Sequence, residues 1–297
     1  MDNFKTIIKE ICEEEKIDFN IISKDWVIML KKNNIVKFII GNKFDLNTYA
    51  SGLVFDDKYA TYEVLKNLNI RVIEHNIYFK NDDYNEIINY FHNHDSSIVI
   101  KTNDGTCGNG VFHITNESDI EPLLNRLFIK HMSISVCPFY NIKHEYRLIM
   151  LNNECVLLYG KNRPIVYGDG IHSIKELLIS FNSNFFKDIL NDEEYNRILN
   201  KGEKYEYGWQ FNLSKGSMPF EVKDELLKRQ LLDFCSEITK KLDLNFCSLD
   251  VIDTEDGLYV IEINSGVMMK NYIEIVSSGH MKAKEIYRSA IKSMFNL

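Results

Sequence analysis

The stretch Ser248-Leu249-Asp250-Val251-Ile252-Asp253-Thr254-Glu255-Asp256-Gly257-Leu258-Tyr259-Val260-Ile261-Glu262-Ile263-Asn264 reads as two apolar strands joined by a polar turn, Asp253 to Gly257. With the turn centred near Asp256, Asp250 lies across the hairpin from Ile261 or Glu262. Glu262 and Asn264 are two residues apart and share one face of their strand. Three oxygen-bearing side chains then converge among Val251, Val260 and Ile263, which read as buried. Buried carboxylates are costly without partners, so something cationic belongs between them. Hard oxygen ligands at a partly open site favour Mg²⁺ or Mn²⁺, shared with substrate phosphates. The alternative is a surface hairpin whose acids are solvated.

Outward from this hairpin, the chain has 297 residues, 45% of them hydrophobic, enough for a sizeable core in two or three subdomains. A net charge of -8 argues against a general nucleic-acid binder. The six cysteines include no CxxC pair, which fits neither a zinc site nor a disulfide framework and suits a reducing cytosol. Residues 1–10 lack the apolar core of a signal peptide, and no run approaches a membrane span. A cytoplasmic globular protein is expected, with no nucleic-acid or membrane partner.

Along the chain, residues 3–16 have helical spacing, and strands are expected near Trp26–Leu30 and Ile35–Ile40. A helix is expected at 57–68, a strand that begins with Ile70–Ile73 and a helix at 83–92. Ser97–Lys101 and Val111–Ile114 read as strands flanking a glycine-rich loop, and a helix follows near 117–127. Further strands are expected near Ile134–Cys137, Tyr146–Leu151 and Cys155–Tyr159, then helices near 173–181, 184–199, 221–241 and 280–295. Strands and helices are interspersed, which favours an α/β or α+β protein.

The loop Thr102-Asn-Asp-Gly105-Thr-Cys-Gly108-Asn-Gly110 would let backbone N–H groups approach phosphate oxygens, with Lys101 at the end of the preceding strand as a point charge. It is not a Walker A loop or a Rossmann fingerprint, and a glycine-rich hairpin turn is also often only a turn. Arg147 in Glu145-Tyr-Arg147 could steady a developing oxyanion, and Arg163 in Lys161-Asn-Arg163-Pro could do the same or clamp a carboxylate. Ordinary ion pairing is the competing reading for each. Gly168-Asp-Gly170-Ile-His172-Ser and Asn212-Leu-Ser-Lys215-Gly-Ser are further polar loops. His92 and His94 read as solvated.

Taken in order, these pieces resemble the ATP-grasp superfamily: Asp57-Lys58 opening a helix, Lys101 before the glycine-rich loop, a hinge near Cys137-Pro-Phe139-Tyr140, Glu145-Tyr-Arg147, Asn212-Leu-Ser-Lys-Gly, and Asp250 with Glu262-Ile-Asn264. The likeness covers about residues 56–275 and is greatest to the modules of cyanophycin synthetase and the bifunctional glutathione synthetases, which share segments like Arg163-Pro-Ile-Val-Tyr-Gly-Asp-Gly-Ile-His-Ser-Ile. The resemblance implies an α+β fold whose two subdomains clamp ATP. It implies residues 1–55 as a short amino-terminal region and 56–297 as the ATP-grasp domain, with a lid at about 96–136 and a metal-binding part at about 137–297.

It further implies a carboxylate–amine ligase working through an acylphosphate, with an amino acid or short peptide as acid and a second small molecule as amine. Lys58 and Lys101 would hold ATP phosphates with Gly105, Gly108 and Gly110 closing over them, Asn212 and Lys215 would also contact ATP, the Cys137 and Phe139 backbone would meet the adenine, and Asp250, Glu262 and Asn264 would hold Mg²⁺ or Mn²⁺. Arg147 or Arg163 would be the catalytic cation. A phosphotransferase and a silent nucleotide-binding module are the alternatives on this scaffold. The chain departs from the family at the hinge, where Cys137-Pro138 replaces a common glutamate, and before Asp57, where the usual α/β domain is short. Substrate selection then differs, or a second subunit, as in a homodimer, assists.

Overall fold

The computed structural model describes residues 3–103, 105, 110–142, 144–181, 189 and 193–297. Helix α1 (Asn3–Glu15) leads into a four-stranded meander of β1 (Asp18–Ile22), β2 (Val27–Lys32), β3 (Ile35–Ile40) and β4 (Lys43–Phe44). Two short helices follow, α2 (Tyr49–Val54) and α3 (Lys58–Asn67). A second sheet has the order β5-β8-β6-β7 and is built from β5 (Asn76–Phe79), β6 (Ile98–Thr102), β7 (Val111–Ile114) and β8 (Ser133–Pro138). Helices α4 (Tyr84–Asn93) and α5 (Ile120–Leu127) cover one face of it, burying Ile87, Phe91, Leu123 and Leu124 against Ile98, Ile100, Ile134 and Val136. The expected lid segment thus supplies three strands, and β5 with α4 completes that layer.

The third sheet has the order β13-β10-β9-β14-β15, all antiparallel: β9 (Glu145–Leu151), β10 (Glu154–Asn162), β13 (Met218–Phe220), β14 (Phe246–Thr254) and β15 (Gly257–Asn264). Between β10 and β13 the chain makes a small ladder of β11 (Ile165–Tyr167) and β12 (Lys204–Glu206), with α6 (Ile174–Phe181) packed beside it. Helix α7 (Glu225–Leu242) backs the large sheet. Asp224 caps it by accepting from the Leu226 and Leu227 amides, and Leu231, Cys235 and Ile238 bury one stripe against Leu148, Leu249 and Val251. Each such fully buried Leu or Ile is worth about 1.5–3 kcal/mol. Helices α8 (Lys270–Ile275) and α9 (Gly279–Met294) follow.

The amino-terminal meander has no separate core. Phe4, Ile7, Ile11, Leu30 and Phe44 share one with Ile149 and Phe246 of the large sheet and with Ile286, Tyr287 and Ile291 of α9. Among the described residues no helix is long and apolar enough to cross a membrane.

Several expectations need correction. Ile70–Ile73 is not a strand; it touches β15 through one parallel bridge, Val72 to Val260. Ile70 packs behind the large sheet while Ile73 packs between the sheets, so the segment is anchored to two cores and not laid along a ladder. Of the helix expected at 184–199, Ile189 is helical and buried with Ile174 and Leu178, Glu193–Asn196 form a 3₁₀ turn, and Ile198 bridges to Ser173; 184–188 and 190–192 lie outside the described residues. Strands β1 and β4 and helix α8 were not expected at all.

Candidate active site

One face of the large sheet is divided into three zones. Glu145, Arg147, Ile149 and Leu151 alternate onto it from β9, and Phe246, Ser248, Asp250 and Ile252 do so from β14. At one end Ile149, Leu151 and Phe246 are sealed beneath the meander and α9. At the other, Ile252 packs with Ile261 and Tyr259 against Val99 and Cys137 of the second sheet. The charged residues occupy the gap between these two covers.

Asp250 stands opposite Arg147 on one side and Glu262 on the other. Arg147 grips it with a two-pronged fork: Nε donates to Oδ1 at 2.8 Å and Nη2 donates to Oδ2. Lys161, on β10, donates to Asp250 Oδ1 at 3.0 Å and to Glu145 Oε1. The side chains of Asp250 and Lys161 are only 5% and 3% exposed. The cations demanded by the buried acids are therefore, in the first instance, two side chains. Burial pushes the Asp250 carboxyl up, but Arg147 and Lys161 outweigh it and hold it well below the usual carboxylate range. Burial pushes Glu145 up, and Lys161 offsets only part of that. For Lys161, burial and Arg147 disfavour the charge, yet Asp250 and Glu145 more than restore it. Two cations and two anions buried together are neutral as a set, which is the condition for burying any of them.

The hairpin carries a β-bulge: Asp250 pairs with Glu262 and Val251 with Val260, leaving Ile261 supernumerary. Val260 and Ile263 are buried on the α7 side, so Ile261 and Glu262 both turn to the other face. Of the two pairings open to the sequence, the register takes Asp250 opposite Glu262, and Ile261 is left without a partner in the ladder. This face fits a divalent ion. Oδ1 of Asp250 accepts two hydrogen bonds but Oδ2 only one, so a lone pair remains there. The Glu262 side chain is 30% exposed, and its nearest cation, Lys58 Nζ, is 4.0 Å away. Asn264 follows on the same face, and its side chain makes no hydrogen bond among the described residues. Those residues hold no cluster of three His, Cys, Asp or Glu suited to a metal, so the candidate set is two carboxylates and an amide.

Lys58 opens α3 just after its cap, Asp57, whose carboxylate accepts from the Ala60 amide at 2.8 Å. The Lys58 ammonium donates to the carbonyls of Asn103, at 3.2 Å, and Gly105, at 2.7 Å. The Asn103 side chain returns the contact: its Nδ2 donates to Asp57 Oδ2 at 2.6 Å and its Oδ1 accepts from the Tyr59 backbone amide at 3.3 Å. The start of the glycine-rich loop is thus clamped to the helix that carries Lys58. Gly110, at φ +70°, turns the chain back into β7, and a Cβ there would meet the Thr102 side chain at 2.8 Å. Gly108 lies outside the described residues. Lys101, one residue before the end of β6, lies opposite Ser135. Burial raises the pKa of the Cys137 thiol, and the Lys101 charge opposes that in part. Cys137 itself pairs with Val99 in mid-sheet, and the Phe139 ring stacks on His113 at 3.8 Å.

Arg163 sits elsewhere. It donates to Glu206 at 2.7 Å and lies over the Phe211 ring, on the β11–β12 side. The side-chain carbonyl of Asn212 accepts from the Ser214 amide and hydroxyl at 2.9 Å, so Asn-Leu-Ser here is a 3₁₀ cap. Lys215 lines a cavity of about 430 Å³ with Gly110, Phe112, Tyr207 and Trp209. His92, expected to be solvated, pairs with Glu117 at 2.8 Å on the surface. Lys161, Glu145 and Asn103 are the site residues that sequence reasoning did not single out. The signal for the first two was the alternation that puts Glu145 and Arg147 on one face and Lys161 opposite Glu145.

An acid pair and an asparagine on a hairpin, faced by two lysines and an arginine, invite comparison with known folds. The family model of the ATP-grasp domain matches residues 55–268. The chain belongs to the ATP-grasp family. Its α+β architecture is the ATP-grasp fold: the structure of a bifunctional glutathione synthetase from Pasteurella multocida superposes with a TM-score of 0.60 at 19% identity, covering 98% of this chain and 43% of that one. The D-alanine–D-alanine ligase of Bacillus anthracis superposes with a TM-score of 0.53 at 13% identity, covering 84% of this ATP-grasp chain and 71% of the ligase. Among curated proteins, the glutathione biosynthesis bifunctional protein GshAB of Clostridium perfringens (strain 13 / Type A) is 27% identical over 225 residues, 74% of this chain. The chain spans 26% of the length of that relative.

Proposed function

We propose that this ATP-grasp chain is an ATP- and Mg²⁺-dependent carboxylate–amine ligase acting on an amino acid or short peptide. The observation that supports this most is the register setting Asp250 opposite Glu262, with Asn264 on the same face and Arg147 and Lys58 beside them. Asp250, Glu262 and Asn264 would hold Mg²⁺. Bound there, the ion would neutralise phosphate charge and keep the transferring group in line with its acceptor. Lys58 and Lys101 would hold the phosphates, with Gly105, Gly108 and Gly110 closing over them. Asn212, through its cap, and Lys215 would close the far side. The apolar cluster of Val99, Cys137, Phe139, Ile252 and Ile261 suits the adenine. The lid would be the second sheet, within an ATP-grasp domain at about 56–297.

The acid's carboxylate would take the γ-phosphoryl group to give an acylphosphate. The amine would then attack its carbonyl, and phosphate would leave as the amide forms. Arg147 is the better-placed catalytic cation, because two of its N–H groups are fixed on Asp250 and the rest remain for a phosphoryl or carbonyl oxygen. Arg163, now paired with Glu206, would clamp a substrate carboxylate. The direct test is ATP consumption with Mg²⁺ and hydroxylamine, screening amino acids and dipeptides as the acid. Hydroxamate formed from one acid supports the ligase. A stable phosphorylated product would instead identify a phosphotransferase, and ATP binding without turnover a silent module.

A further inference from the structure

The second sheet ends on β7, and among the described residues no strand pairs with the outer edge of β7. The Thr102 amide donates to the Gly110 carbonyl at 3.0 Å, which fixes the phase of the β6–β7 ladder. Bonded and non-bonded positions alternate in an antiparallel pair. Phe112 and Ile114 therefore turn their backbone groups to β6, and Val111 and His113 turn theirs outward. Gln210 bears this out, because its Nε2 donates to the Val111 carbonyl at 3.3 Å. The outward N–H and C=O of His113 have no hydrogen-bond partner among the described residues.

This edge lines an open groove. A cavity of about 420 Å³ follows all four residues of β7, with Leu123 and Arg126 of α5 on one side and Trp209 on the other. A second cavity shares Val111, Phe112 and Trp209 with it and continues to Gly110 and Lys215. Arg126 is exposed and lies over the Phe112 ring, 5.1 Å from its centroid. A strand edge offers donors and acceptors at every second residue, and only an extended backbone matches that spacing. The Gln210 carboxamide already stands in for one peptide N–H at Val111. The two walls would take alternate side chains of the added strand.

We propose that this groove binds the carboxyl-terminal end of a peptide as an antiparallel fifth strand on β7, and that this peptide is the acid the ATP-grasp site activates. The second half rests on the ligase reading; the docked strand does not. Antiparallel addition continues the pattern of the whole sheet and sends the peptide's carboxylate past Val111 toward Gly110, where the glycine-rich loop returns. One peptide residue exchanges two hydrogen bonds with His113. The next lies beside Phe112, where the charge of Arg126 favours an acidic side chain. The last stands opposite Val111 and takes the place of Gln210. The four positions of β7 span about 13 Å, which a free amino acid does not fill.

The test is isothermal titration, without nucleotide, of the peptide acetyl-Ala-Val-Glu-Ala and of copies N-methylated at its Val or at its Glu. In the proposed register the Val N–H donates to the His113 carbonyl and the Glu N–H points away. Methylation at Val should weaken binding about tenfold, and methylation at Glu less than about twofold. This comparison needs no variant protein. Arg126→Ala should weaken the peptide about two- to fivefold and leave acetyl-Ala-Val-Ala-Ala unchanged. With ATP, Mg²⁺ and hydroxylamine, the tetrapeptide should give hydroxamate where alanine and acetyl-alanine give none. No binding of the tetrapeptide, or equal effects of the two methyl groups, would overturn the strand site. A dimer that the tetrapeptide dissociates in sedimentation would put a second copy of the chain on β7 and overturn the peptide as its occupant. Strand binding with hydroxamate from alanine alone would overturn the peptide as the acid and leave the ligase standing. Strand binding with no hydroxamate from any acid screened would overturn the ligase reading, and the peptide's part in it, while the docked strand stands.

Discussion

Lys161 and Asp250 are joined by a 3.0 Å hydrogen bond between side chains that are almost wholly buried, on strands separated by β9. Lys161 reaches over that middle strand to complete a neutral set with Glu145 and Arg147. Removing the ammonium leaves Asp250 and Glu145 facing each other with one cation. Lys161→Met, which keeps most of the volume, should cost about 3–5 kcal/mol in urea unfolding. A loss below about 1 kcal/mol would mean that water or Arg147 already neutralises the pair.

Glu262 should behave in the opposite way. It is partly exposed and its nearest cation is 4.0 Å off, so the fold owes it little. Glu262→Ala should keep the wild-type melting temperature within a few degrees and abolish ADP release once a substrate acid is known. Full activity in the folded variant would remove Glu262 from the metal set.

The clamp between Asn103 and residues Asp57 and Tyr59 predicts a positioning effect. Asn103→Ala deletes both hydrogen bonds and should cost about 1–3 kcal/mol of stability. The backbone carbonyls of 103 and 105 that accept from Lys58 remain but are no longer tied to α3, so KM for ATP should rise severalfold with kcat less affected. A changed kcat at constant KM would place Asn103 in the chemistry and not in the clamp.

His75 sets a pH dependence. Its pKa in the folded chain is below the usual value near 6.5, by burial first and then by Lys101 on β6 and Lys58 on α3; Ser135 and the Tyr62 ring are its other neighbours. The unfolded chain thus binds the extra proton more readily. Stability from this group is fully present above about pH 6.5 and is lost as pH falls toward the folded value, by at most about 1.4 kcal/mol per pH unit. Melting temperatures taken between pH 7.5 and 5 should fall, and His75→Gln should flatten that slope. An identical slope in the variant would assign the effect to other groups.

These contrasts bear on what the sequence could reveal. The hairpin around Asp250 and Glu262 was legible because alternating apolar residues, a Gly257 turn and acids at interior positions all pointed one way. The bulge was visible only as an ambiguity between Ile261 and Glu262, since pattern alone does not say where a ladder skips. In Lys161-Asn-Arg163 both basic residues fit the same face at period two, and arginine chemistry favoured Arg163. In the structure β10 ends at Asn162 before Pro164, so only Lys161 stays in register with the acids. His75 gave no signal, because its meaning depends on Ser135, sixty residues away, and on two lysines from other elements. The segment Asp18–Ile22 was missed because only Phe19 and Ile21 are half-buried and the apolar Ile22 is exposed, so the residue types Ile21-Ile22 do not follow the alternation of the strand.

The bulge at Ile261 has one more consequence. In a regular strand, successive side chains look opposite ways, so any one surface is sampled about every 7 Å. With Ile261 and Glu262 turned to the same side, that surface is written at twice the usual density: hydrocarbon and carboxylate stand on neighbouring Cα atoms, about 3.8 Å apart. A ligand whose flat apolar part runs directly into an anionic, metal-bound tail could then be met by two consecutive residues of a single strand, with no loop required to bring them together.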